Sequence, residues 1–297
     1  MKIFRQLIVI VFLISALIPK AQNQGYQILH DSIQPIIETD YPRAKTLILK
    51  YESIIDPQEL LLLLDEILSQ GDIDFFKDRT QYLMINYGLN YSEIDLVESR
   101  LIPANLQAQI SKIHLTQWMF EESSKHYSNW IKENSKSLWL RKKVYALKTA
   151  DQTIRRFPSI SEDSICDELI HQQQVEIDFE NLQSLAELCQ INDGKMLNHF
   201  DNGLQIYYRA FGIIIWHNLN NEINFQKSWD LILPYVEAAY FEEKIDFTIF
   251  KMYDLCCKKH NDYQYYGTLD NSIPIHDLEN YKQRREKYHL GDFSLKP

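Results

Sequence analysis

Four stretches of helical periodicity each carry one ionisable side chain on an otherwise apolar stripe. Leu140, Val144, Leu147, Asp151 and Ile154 step by four, three, four and three, which places Asp151 on one face of a helix among apolar neighbours. Ile206, Ala210, Ile213 and His217 repeat the stepping. So do Phe247, Phe250, Asp254 and Cys257, and then Leu278, Tyr281, Arg285 and Tyr288. A charge withdrawn from water costs several kcal/mol unless it is paired, so these groups are expected to meet as Asp–Arg and Asp–His pairs.

Two carboxylates, an imidazole and a guanidinium could do acid/base chemistry, with His217 as base, Asp254 or Asp151 orienting it and Arg285 holding an anionic group. They could also hold a polar ligand. An Asp/Asp/His set suits a divalent metal, although nothing in the spacing demands one, and no cofactor is implied. The same side chains also fit an internal salt-bridge network that only fixes helix packing. Arg155, four residues after Asp151, offers that carboxylate a local partner.

The order of these residues resembles an uncharacterised bacterial family, domain of unknown function 6624. Gln264-Tyr265-Tyr266-Gly267-Thr268 matches its Q-x-Y-G-T signature, and the Arg284-Arg285 pair follows near the C-terminus. Asp151-Gln152 with Arg155 resembles its D-Q-x-x-R start, His217 the histidine of its Q-H step, and Asp254 the start of its D-R step. The resemblance covers about 137–297. Trp216, Leu255, Leu269 and His289 depart from it, standing where the family has Gln, Arg, Gln and Gly. It brings no activity, but implies that Gln152, Arg155, Gln264, Tyr266, Thr268 and Arg285 belong with the stripe residues as candidate ligand-binding positions. Gly267 suits a tight turn with positive φ.

Other chemistry lacks support. The chain has no G-x-x-x-x-G-K, G-x-G-x-x-G, H-E-x-x-H, G-x-S-x-G or C-x-x-C. Glu168 and His171 have the E-x-x-H spacing of a di-iron half-site, but no second such pair completes it, and a solvated helix face is the expectation.

The elements that position these residues are helices. Only 8 glycines in 297 residues, with apolar residues recurring at three and four, predict an all-α fold, a multi-helix bundle or array of helical hairpins. Asp56-Pro57-Gln58-Glu59 caps and starts one helix and Gly71 ends it. Helices are expected near 42–55, 57–70, 73–87, 92–101, 104–133, 137–157, 161–190, 197–219, 224–242, 246–260 and 276–288. The polar stretch 132–137 is the expected join between an N-terminal unit of 22–136 and a C-terminal domain of 137–297.

Ahead of both, Lys2 and Arg5 precede the apolar run Leu7 to Ile18 and then a polar stretch, the pattern of a secretory signal peptide over 1–21. The run is too short to span a bilayer comfortably, so an exported protein, periplasmic or extracellular, is expected, with no stable membrane span after cleavage. Loss of Lys2, Arg5 and Lys20 with the signal takes the formal charge from −10 to −13. That argues against nucleic acid or anionic lipid as partner. Cys166 and Cys189 could pair across neighbouring helices, whereas Cys256 and Cys257 are expected to pack as small hydrophobes.

Two functional readings follow. The sequence favours a non-catalytic exported binding module that docks a protein or cell-surface component. The alternative is a small-ligand-binding or hydrolytic enzyme with an Asp/His/Arg pocket in the C-terminal domain.

Overall fold

The computed structural model describes residues 24–90, 112–155, 164–204, 210–270 and 272–290. The signal expected over 1–21 and the helix expected over 92–101 lie outside them. The fold is all-α: among the described residues the only strand-like pairing is an isolated bridge between Gln264 and Ile275. No described helix is long and apolar enough to cross a membrane. The chain divides into two compact units, Gly25–Ala239 and Tyr240 onward.

The first unit opens with α1 (Gln24–Gln27), a π turn and a 3₁₀ turn, then α2 (Tyr41–Tyr51), α3 (Pro57–Ser69) and α4 (Ile73–Tyr87). Local chemistry sets these boundaries. Asp40, Asp56 and Asp72 each cap a helix by accepting a backbone N–H, and Gly88 ends α4 in the left-handed conformation. Four of the five leucines of 60–64 are buried and only Leu62 faces out, which makes α3 the centre of a core that includes Ile33, Ile48, Phe76, Leu83 and Met119. Removing any of these large side chains from water contributes roughly 1.5–3 kcal/mol.

Next come α5 (Lys112–Glu133), α6 (Ser135–Ile154), α7 (Ser164–Ile191), α8 (His199–Asn202), α9 (Ala210–Leu219) and α10 (Phe225–Phe241). The helix expected over 197–219 is interrupted, because Gly203 adopts φ 76° and turns the chain out of helical geometry after α8. The polar stretch 132–137, expected as a join, lies inside this unit. Only Asn134 separates α5 from α6, and the segment around α8 packs back on the N-terminal helices. His199 Nδ1 lies 3.0 Å from Asp56 Oδ1, and Leu204 donates its N–H to Tyr87 C=O at 2.8 Å. The Trp130 ring lies where a Cβ on Gly88 or Gly203 would stand, so both glycines are needed for it to seat.

The second unit contains α11 (Thr248–Asn261) and α12 (Leu278–Lys287), joined by the loop that carries Gln264 to Leu269.

Asp72 generates a prediction for the first unit. Its carboxylate accepts from Phe75 N–H at 3.1 Å, Tyr41 Oη at 3.1 Å and Lys45 Nζ at 2.7 Å. Partial burial pushes its pKa up, but Lys45, the backbone N–H and Tyr41 outweigh this and hold it below the usual carboxylate range. A carboxyl whose folded pKa is depressed stabilises the fold above its unfolded pKa and loses that contribution as pH falls through the folded value. Asp72→Ala should therefore cost about 1–2 kcal/mol at pH 7. In urea titrations the gap to the parent should close as the pH drops below about 4.

Candidate functional site

The stripe residues assemble into two clusters, one in each unit. In the second unit α11 holds Asp254 fully buried. Its Oδ1 accepts the backbone N–H of Tyr265 at 2.6 Å and of Tyr266 at 2.8 Å, and its Oδ2 accepts the N–H of Thr268 at 2.8 Å and Thr268 Oγ1 at 2.7 Å. Arg285 on α12 works on the same loop from the opposite polarity, donating to the carbonyls of Tyr266 at 3.0 Å and Gly267 at 2.6 Å. Gln264 fills what remains, donating Nε2 to Asp270 and Ile273 carbonyls and accepting the Leu269 N–H on Oε1 at 2.9 Å. Tyr266 is buried against Phe250, Tyr253 and Tyr288, and Gly267 at φ 69° leaves room for the Tyr281 ring. The expected Asp–Arg pair therefore does not form between Asp254 and Arg285. Each instead takes the half of the peptide dipole that matches its charge, and both are spent on shaping the Q-x-Y-G-T loop.

In the first unit α6, α7 and α9 contact one another pairwise, and a second cluster lies on their seam. Asp151, in the last turn of α6, is 1% exposed. His217 in the last turn of α9 presents Nδ1 to both of its oxygens, at 2.9 and 3.0 Å, and Gln152 Nε2 donates to Oδ2 at 2.6 Å. Arg155, just past the end of α6, reaches three groups at once. Its Nη2 lies 3.4 Å from Asp151 Oδ1, and 2.5 and 2.6 Å from the two oxygens of Asp178, while its Nε approaches His217 Nδ1 at 3.0 Å. The expected Asp–His pair and the local Asp151–Arg155 pair are both present.

Burial pushes the Asp151 carboxyl up, but hydrogen bonds from His217 and Gln152 and the His217 and Arg155 charges bring it below its ordinary value. Burial also pushes Asp178 up, and with the Asp151 charge beside it the Arg155 hydrogen bonds and charge do not bring it back down. Two neighbouring carboxyls are thus driven apart, the pattern by which one site keeps one acid ionised and the other easier to protonate.

The Arg155 contact and the Asp151 contact compete for one nitrogen. If Nδ1 carries hydrogen, it donates to Asp151 but opposes the Arg155 N–H. If it carries none, it accepts from Arg155 but turns its lone pair on a carboxylate. No protonation state of the ring satisfies both.

Asp178 did not figure among the sequence candidates. The stepping Val175, Asp178, Leu182, Leu185 and Cys189 would have found it, since all five are buried on one face of α7. Rotation of α9 also differs from expectation. Its deeply buried residues are Ile214, Ile215, Asn218 and Leu219, so Ile213 and His217 sit half-buried at the rim, while Ile206 falls outside the described residues. Asn218 sets that rotation by donating Nδ2 to the Asp178 carbonyl at 2.7 Å and the Ile214 carbonyl at 2.9 Å. Glu168 and His171 are both exposed, as expected of a solvated face. Cys166 and Cys189 occur on the same helix α7, about 34 Å apart along its axis, so they cannot bridge within the chain.

Two outcomes are expected. Asp254→Asn turns an amide N–H₂ on backbone N–H groups and leaves part of the loop unsatisfied, so the unfolding free energy should fall by roughly 3 kcal/mol. Burial raises the Cys256 thiol to about 11 and the Cys189 and Cys257 thiols to about 12, so native protein at pH 8 should leave these three unlabelled by a thiol reagent, as mapped by mass spectrometry. Searches of family models, curated proteins and solved structures find no match to this chain.

Proposed function

We propose that this chain is an exported helical binding module whose functional centre is the Asp151, Arg155, Asp178 and His217 cluster, a site for a small polar ligand. The observation that carries the reading is the contested Nδ1 of His217, within reach of both a guanidinium N–H and a carboxylate. A network selected only to hold helices together satisfies its members, as Asp254 and Arg285 do with the loop between α11 and α12. A group held in conflict at a half-exposed rim is the mark of a site that is completed by something else. Export is supported by the basic start and short apolar run ahead of the helical chain. Kinship with domain of unknown function 6624 is part of the same proposal. It is supported by the way the signature loop is held by Asp254 and Arg285, two positions the resemblance marks.

His217→Ala tests the reading, with equilibrium unfolding and a thermal-shift panel of divalent metals, nucleotides and saccharides as the measurements. The expected result is a change in unfolding free energy below about 1 kcal/mol, or a gain, together with a ligand-dependent rise in Tm that the variant loses. A loss of about 3 kcal/mol or more with no ligand response would make the cluster a structural network and sink the proposal.

A further inference from the structure

We propose that the ligand of this site is a divalent first-row transition ion, Zn²⁺ or Mn²⁺, held by Asp151, Asp178 and His217 Nδ1 in the place that the Arg155 guanidinium now fills. The inference rests on the polar-ligand reading above and narrows it. An oxygen from each carboxylate and the imidazole nitrogen all lie within 4.8 Å of one another. Three ligands of one ion, each bonded at about 2.0–2.2 Å in tetrahedral or trigonal geometry, lie about 3.3–3.8 Å apart, so a pair at that limit must draw in by about 1 Å to close the shell.

Arg155 has the contacts such an ion would have. It touches all three ligand groups, through Nη2 on both oxygens of Asp178 and on Asp151 and through Nε on His217. Its side chain is 26% exposed and begins where α6 ends, so it has a route outward that Asp151 and Asp178 lack. Replacing it with an ion removes the conflict at Nδ1, because a metal accepts the lone pair of the imidazole and of a carboxylate at the same time. Two carboxylates also favour a doubly charged partner over a single guanidinium.

Two further groups fit. Gln152 donates to Asp151 Oδ2 and fixes its orientation, the role of an outer-shell partner. Asn181, three residues after Asp178 on the same face of α7, is 7% exposed, and its Nδ2 finds no acceptor. A buried amide with an unused donor on that face needs an oxygen to meet. The single imidazole argues against Ca²⁺, which takes oxygen ligands, and for Zn²⁺ or Mn²⁺.

The test is isothermal titration of chelator-treated protein with ZnCl₂ and with MnCl₂, on the parent, Asp178→Asn, His217→Ala and Arg155→Ala, with thermal melts verifying that each variant folds. One ion per chain is expected, with affinity down at least 100-fold in Asp178→Asn and His217→Ala. Arg155→Ala should bind about 10-fold more tightly than the parent, since the competing cation is gone, and a purely structural Arg155 would not produce that. Absence of binding in both the parent and Arg155→Ala overturns the inference, as does binding that Asp178→Asn and His217→Ala leave unchanged. If neither metal binds while a nucleotide or saccharide still raises Tm in a His217-dependent way, the metal assignment falls and the polar-ligand reading stands. If His217→Ala is strongly destabilised and nothing binds, both fall.

Discussion

A carboxylate taken out of water must recover from its neighbours what it loses in hydration, and three deeply buried carboxylates shape this molecule. Asp254 recovers it from backbone N–H groups, Asp178 from one guanidinium nitrogen shared by both of its oxygens, and Asp151 from an imidazole, an amide and that same nitrogen. Each solution dictates local structure. The loop from Gln264 to Leu269 has its shape because its amides converge on one carboxylate while its carbonyls face Arg285. The seam of α6, α7 and α9 has its register because Arg155 must reach Asp178 across it.

Neutral amides support the second arrangement. Asn218 and Asn224 are fully buried and donate to the carbonyls of Asp178 and Val175, which locks the rotation of α9 and the start of α10 against α7. That rotation puts His217 at the rim, 21% exposed, with Nδ1 turned inward on the carboxylates. Elsewhere in the same unit the Trp130 ring between Gly88 and Gly203 holds α5 to the end of α4 and to the turn after α8. Side chains of high shape specificity thus set the backbone, and the backbone sets the distances within the charged cluster.

The two charged clusters differ in completeness. Around Asp254 each carboxylate oxygen faces donors only, so the arrangement requires nothing more. Around Asp151 and Asp178 one nitrogen is claimed by two groups of opposite demand. The first pattern is that of a structural network, and the second is the one we propose a ligand completes.

The sequence by itself determined the helices and most of their ends, because spacing of apolar residues, capping aspartates and scarce glycine act within a few residues of chain. It also pointed to Asp151, His217, Asp254 and Arg285, since an ionisable group on an apolar stripe is a local fact. Which of them meet was settled only by tertiary structure. Periodicity shows that a face is buried but not what it is buried against, so it could not separate Asp254 and Arg285, which turn to a loop, from Asp151 and His217, which turn to each other. It missed the break at Gly203, where room for a tryptophan ring decided the backbone. Asp178 was legible from the stepping of α7, but its importance was not: the pairing with Arg155 joins residues 23 positions apart, and the sequence records no distance across helices.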